Sequence, residues 1–177
     1  MDRAAFVQAL LDCGAIQFGK FTLAAGKESD WYCDIKRAVT IPELLRHIAV
    51  EMAPSAKSHA RIAGVELGAV PIAAAVSLET DLPYLMVRKA AKEHGTRRDY
   101  EGVLRPGDRV LFVEDVVTTA GTLSQSIERL RVAGAVVEEA VAVVDRQEGG
   151  AEALRAIGVG LTALLTAADI RKASGKT

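Results

Sequence analysis

The chain has 177 residues, half of them apolar and a quarter charged, with a formal net charge of −1, which is the size and composition of one compact domain with a substantial core. That balance argues against a nucleic-acid or anionic-membrane partner, and no apolar run approaches the roughly 20 residues of a membrane span. The two cysteines, Cys13 and Cys33, have neither zinc-ligand spacing nor a disulfide framework; with no apolar signal block behind Met1-Asp2-Arg3, a cytoplasmic protein with reduced thiols is expected.

In chain order, Phe6, Leu10 and Leu11 fall at helical spacing behind a possible Asp2 cap, predicting an amphipathic helix over residues 2–13. Phe21–Leu23 and Trp31–Ile35 read as short strands around a turn at Gly26. Pro42 suits the first position of a helix running to about Met52. A regular alternation follows: strand Arg61–Gly64, helix Val70–Leu78, strands Tyr84–Val87 and Arg109–Val113, helix Thr122–Ala133, strand Val136–Val144, helix Glu152–Ile157 and strand Leu161–Leu164. His47, His59 and the segment from Arg171 to Thr177 read as ordinary surface or terminal residues. Strands that are apolar throughout and alternate with helices predict an α/β fold whose mainly parallel sheet is covered on both faces. Such sheets bind ligands at the carboxyl ends of their strands, here the loops after Gly64, Val87, Val113 and Val144.

The loop after Val113 is the most informative. Glu114 and Asp115 stand side by side at the end of a buried strand, where repulsion and desolvation are unfavourable unless sugar hydroxyls or a hydrated cation compensate them. Small and hydroxylated residues then lead into a helix N-terminus, which turns backbone N–H groups and the helix dipole towards a phosphate monoester. The run VLFVEDVVTTAGT resembles the PRPP-binding signature of type I phosphoribosyltransferases, PRPP being 5-phosphoribosyl 1-diphosphate. The resemblance implies the type I phosphoribosyltransferase fold, with Glu114 and Asp115 on the ribose hydroxyls. Val116 and Val117 lead into the cradle of the 5′-phosphate, formed by Thr118, Thr119, Ala120, Gly121 and Thr122. Ala120 stands where many relatives have glycine, an exchange small enough to leave the loop undisturbed.

Between residues 88 and 101 lie five Lys or Arg, three acids and one His, a long charged stretch of the kind that is functional or mobile between two core strands. Its pattern RKxxKxHG resembles the catalytic loop of orotate phosphoribosyltransferases, implying that Arg88, Lys89, Lys92 and His94 contact the diphosphate, whose charge grows as it leaves. In that family the loop crosses a homodimer interface and completes the partner's site. Residues 21–34 resemble the family's FxLxSGxxSxxYxD segment, so residues 1–40 are expected to form a small N-terminal hood over a core of residues 41–177, together one domain. Ala24 replaces a base-contacting lysine of some relatives, and that contact is not carried over; the spacing of Lys27 differs. Asp145-Arg146-Gln147-Glu148-Gly149 resembles the family's DRQEG element and implies that Arg146, with Thr118, binds orotate; a guanidinium fork suits a planar anionic base. The stretch Gly64–Pro71 resembles the superfamily's pyrophosphate loop, with Ala69 in place of its second glycine. The implied cofactor is Mg²⁺, held mainly through PRPP and water with no direct protein ligand. A transferase for another base and a non-catalytic PRPP-binding regulator are the competing readings.

Overall fold

The computed structural model describes residues 1–22, 26, 28–89 and 99–175. Helix α1 (Arg3–Asp12) starts where the Asp2 side chain accepts the Ala5 N–H, and an antiparallel ribbon of β1 (Ile16–Thr22) and β2 (Glu28–Cys33) follows. A short α2 (Lys36–Val39) leads into α3 (Pro42–Met52), which has proline in its first turn. The remainder is β3 (Arg61–Val65), α4 (Ala69–Thr80), β4 (Tyr84–Val87), β5 (Tyr100–Glu101), β6 (Arg109–Val117), α5 (Gly121–Val132), β7 (Val136–Asp145), α6 (Gly150–Ala156), β8 (Gly160–Thr166) and α7 (Ala167–Ala173).

Six of these strands form one sheet in the order β5-β4-β3-β6-β7-β8, parallel except for β5 at its edge. Side-chain alternation along β6 explains the covering of both faces. Leu111 and Val113 join the apolar cluster of α1, α3, α4 and α7, whereas Val110 and Phe112 join that of α5 and α6. Phe6, Leu10, Ile16, Trp31 and Ile35 belong to the same cluster as Leu44, Ile48 and Ile72, so the hood packs continuously with the core. None of the described helices is long and apolar enough to cross a membrane.

Several boundaries differ from the sequence reading. Strand β6 continues past Val113 to Val117, because β7 runs to Asp145 and offers partners opposite Val116 and Val117. Glu114 and Asp115 therefore lie on the strand and not in the loop. Ile35 is not in β2; the chain turns there into α2. The C-terminal segment forms α7, started by reciprocal hydrogen bonds between Thr166 and Asp169. His59 is buried, 8% exposed, with its Nδ1 3.0 Å from the Ser55 carbonyl, so it is not a surface residue.

Packing of α4 on β3 depends on Gly64. A Cβ there would lie 2.4 Å from the Ala69 carbonyl oxygen, a backbone atom that cannot swing away. Gly64→Ala is expected to cost about 2–3 kcal/mol, lowering the melting temperature by about 5–10 °C in a chain of this size. An unchanged thermal melt would show that β3 and α4 are less closely fitted than described.

Candidate active site

The order of the sheet reverses between β3 and β6: the crossover through α4 goes to one side of β3, and the return to β6 goes to the other. A parallel sheet opens a ligand crevice at such a point. Here it is a cleft of about 690 Å³ lined by the turn after β3, the end of β6 and the first turn of α5. Every residue from Glu114 to Thr122 lines it.

Ala120 has φ 60° and ψ 15° and immediately precedes α5, which has no side-chain cap. The first N–H groups of the helix are thus left for an anion from outside it. The sequence reading, that the Ala120 methyl leaves the loop undisturbed, omits this left-handed backbone, which costs a non-glycine residue about 1–2 kcal/mol.

The acidic pair is held on both sides. Glu114 Oε1 accepts the Asp115 N–H at 3.0 Å, and Asp115 Oδ1 accepts the Val116 N–H at 2.8 Å. The Asp115 carboxylate lies against Gly68, so closely that a Cβ at Gly68 would stand 2.0 Å from Oδ2. Burial, then a hydrogen bond to Asp115 and repulsion from it, holds the Glu114 carboxyl well above the usual carboxylate range. Unfolded, Glu114 ionises near its ordinary value of 4.5; folded, it keeps its proton to higher pH. The folded state therefore binds more protons above about pH 4.5, and the group's contribution to stability falls as pH rises through that window. Glu114→Gln is expected to raise the melting temperature at about pH 8, with little change at about pH 4. Equal shifts at both pH values in paired melts would contradict a Glu114 that keeps its proton.

On the far wall, the Glu66 N–H donates to the Val87 carbonyl at 2.8 Å and the Lys89 N–H donates to Glu66 Oε1 at 3.0 Å, joining the turn after β3 to the end of β4. Lys89 lines the crevice; Arg88 is not among its lining residues, and its guanidinium pairs with Glu101 at 2.8 Å. Lys92 and His94 lie outside the described residues, as do Ala24 and Lys27. Arg129 on α5 escaped the sequence reading. It donates to the Arg88 carbonyl at 2.6 Å, and its Nε lies 3.7 Å from Asp99, so it fastens the chain at both positions.

Arg146 is a buried residue. Its guanidinium donates to Glu148 at 2.8 Å and to Ser29 Oγ at 3.3 Å, and it sits 4.4 Å from the centre of the Trp31 ring. With Ser29, Trp31 and α7 it bounds a second concavity of about 460 Å³, held in part by the Arg171–Asp30 pair at 2.7 Å. Thr118, expected to share a ligand with Arg146, lines the first crevice and not this concavity. Cys33 lies within the fields of both Arg146 and Asp115 and so marks the junction; burial, before any charge, pushes its thiol up to about 12. Its position was not legible because a lone cysteine carries no spacing signal. Among the described residues no group of three or more His, Cys, Asp or Glu side chains is placed to hold a metal ion; the carboxylates of Asp115 and Glu66 on the crevice wall would face a divalent cation carried in by an anionic substrate and water.

At the carboxyl edge of the parallel sheet stand an acidic pair, a hydroxylated turn running into an uncapped helix and, around Arg146, a second concavity. The phosphoribosyl transferase domain family matches residues 35–158. The orotate phosphoribosyltransferase of Methanosarcina mazei is 47% identical over 168 residues, 94% of this chain and 90% of that protein. The crystal structure of orotate phosphoribosyltransferase from Aeropyrum pernix superposes with a TM-score of 0.87 at 33% identity, covering 96% of this chain and 98% of that one. Leishmania donovani UMP synthase aligns with a TM-score of 0.86 at 35% identity over 98% of this chain, which spans 38% of that longer protein. The chain belongs to the orotate phosphoribosyltransferase family.

Proposed function

We infer that this enzyme transfers the 5-phosphoribosyl group of PRPP to orotate, giving orotidine 5′-monophosphate and pyrophosphate, a step of UMP synthesis. The observation that carries the reading is a pair of sites at the ends of neighbouring strands. The Glu114–Thr122 crevice lies at the end of β6 and Arg146, which bounds the second concavity, follows β7, with the Arg146 N–H donating to the Val117 carbonyl at 2.9 Å; the arrangement suits a phosphorylated sugar bonded to an anionic ring.

In this reading the 5′-phosphate accepts hydrogen bonds from Thr118 to Thr122 and the first turn of α5, and Asp115 and Glu114 hold the ribose hydroxyls. Arg146 receives the orotate carboxylate in its fork while Trp31 packs against its face. At neutral pH the charge of orotate is on its carboxylate, and the ring nitrogen N1 still carries a proton. N1 forms the bond to C1′ as the C1′–O bond breaks through an oxocarbenium-like state; the bonding pair leaves on the diphosphate, and the N1 proton passes through water to the departing pyrophosphate. Lys89 and the turn at Glu66 and Gly68 face that departing charge; by family resemblance Arg88, Lys92 and His94 add to it. Mg²⁺, when bound, neutralises part of the diphosphate charge, with Asp115 and Glu66 the residues that would face it. The chief contribution of the protein is positioning and electrostatic support.

We further propose that the chain forms one cytoplasmic domain, works as a homodimer sharing the 88–101 loop across subunits, and has no nucleic-acid or membrane partner. The direct test follows consumption of orotate, uracil, hypoxanthine and adenine separately with PRPP and Mg²⁺. Loss of orotate alone, with one pyrophosphate released for each, is expected. Turnover of another base would overturn the assignment of substrate; PRPP binding with no turnover would favour the regulator.

A further inference from the structure

Lys36 belongs to no motif used above. It is the first residue of α2, where the hood returns to the core, and its side chain is half exposed while lining the same crevice as Asp115 and Gly68. Its ammonium lies 2.5 Å from Asp34 Oδ1, and the Asp34 carboxylate is itself largely buried. The hydrogen bond to Asp34 is the main cause that holds Lys36 above its ordinary pKa, with the charge of Asp115 contributing, so the group stays cationic at any working pH.

A half-exposed ion pair stabilises a fold weakly, which is little reason to aim a lysine into a substrate crevice. The charge balance supplies a stronger one. With Glu114 keeping its proton, the charges lining this crevice among the described residues are Glu66 and Asp115 against Lys36 and Lys89. A polyanionic substrate entering beside two carboxylates needs cations already in place, and Asp34 holds this one there before binding. The location also selects the part of the substrate. Arg146 bounds the neighbouring concavity, which Lys36 does not line. The 5′-phosphate has the start of α5. What remains beside Asp115, over the turn at Gly68, is the diphosphate end of the sugar.

We propose that Lys36 is a substrate-binding residue that contacts the diphosphate of PRPP, oriented by Asp34. This rests on the orotate phosphoribosyltransferase reading, and the test separates the two. Wild type, Lys36→Met and Lys36→Arg are compared by initial rates with each substrate varied, and by calorimetric titration with inorganic pyrophosphate and Mg²⁺. In the Met variant, the PRPP KM and the pyrophosphate Kd should both rise about tenfold, the value for one charge-assisted hydrogen bond. The orotate KM should move less than about twofold, and Lys36→Arg should recover most of the loss. PRPP and pyrophosphate constants within about twofold of wild type, or a shift confined to orotate, would overturn the proposal. If the wild type consumed another base, the substrate reading would fall while the pyrophosphate titration still decided the role of Lys36.

Discussion

Gly68→Ala is expected to lower kcat/KM for PRPP about 100-fold or more while leaving the thermal melt within a few degrees of wild type. Gly68 has φ −68° and ψ −37° at the start of α4, a conformation alanine adopts freely, so the backbone has no reason to object. The added methyl instead meets Asp115, with Oδ2 at 2.0 Å and Cγ at 2.6 Å from its ideal position. The carboxylate is the end of a side chain and can rotate away, but only by leaving the place where the ribose hydroxyls would find it. Two hydrogen bonds to a charged acceptor, each contributing about 1.5–3 kcal/mol, would then be lost. The same change is mild for folding and severe for function, which separates a positioning effect from destabilisation. Near-normal PRPP kinetics would mean that Asp115 does not hold the sugar.

Arg146→Leu is the second large effect. The Arg146 side chain is only 6% exposed and lies between Glu148, Ser29 and the Trp31 face. Its loss removes the fork proposed for the orotate carboxylate and separates a buried charge pair, a change of about 2–5 kcal/mol. The expected result is a fall of about 1,000-fold in kcat/KM for orotate, with the PRPP Kd within about threefold of wild type. Arg146→Lys should recover only part, since an ammonium restores charge without the planar fork or the stacking. Discrimination against uracil, which lacks the carboxylate, should collapse in the Leu variant. Preserved discrimination would assign base recognition to other residues.

The sequence was most legible where local physics is strongest. Runs such as Val110–Val113 and Ala140–Val144 are apolar throughout and read as interior strands, so the parallel sheet and the four loops at its carboxyl edge follow from pattern alone. The Glu114–Thr122 run was legible because an acidic pair followed by small hydroxylated residues has few other uses at such an edge. The end of β6 was not, since charge at Glu114 argues for a loop and only pairing with β7 keeps the strand going to Val117. Arg129 drew no reading from the sequence, because its bond to the Arg88 carbonyl spans 41 positions and has no sequence signature. Lys36 and Cys33 were missed for the same reason, because the fold of the hood alone sets them beside Asp115. Gly64 and Gly68 read as glycines of a pyrophosphate loop, whereas the constraint the fold places on them is the distance to Ala69 and Asp115.

The most direct measurement is a crystal structure of the protein with orotidine 5′-monophosphate. The account predicts the phosphate at Thr118 to Thr122 before α5, the ribose hydroxyls on Asp115 and Glu114, and the orotate carboxylate on the Arg146 guanidinium above Trp31. A phosphate bound away from α5, or a base seated without contact to Arg146, would contradict it.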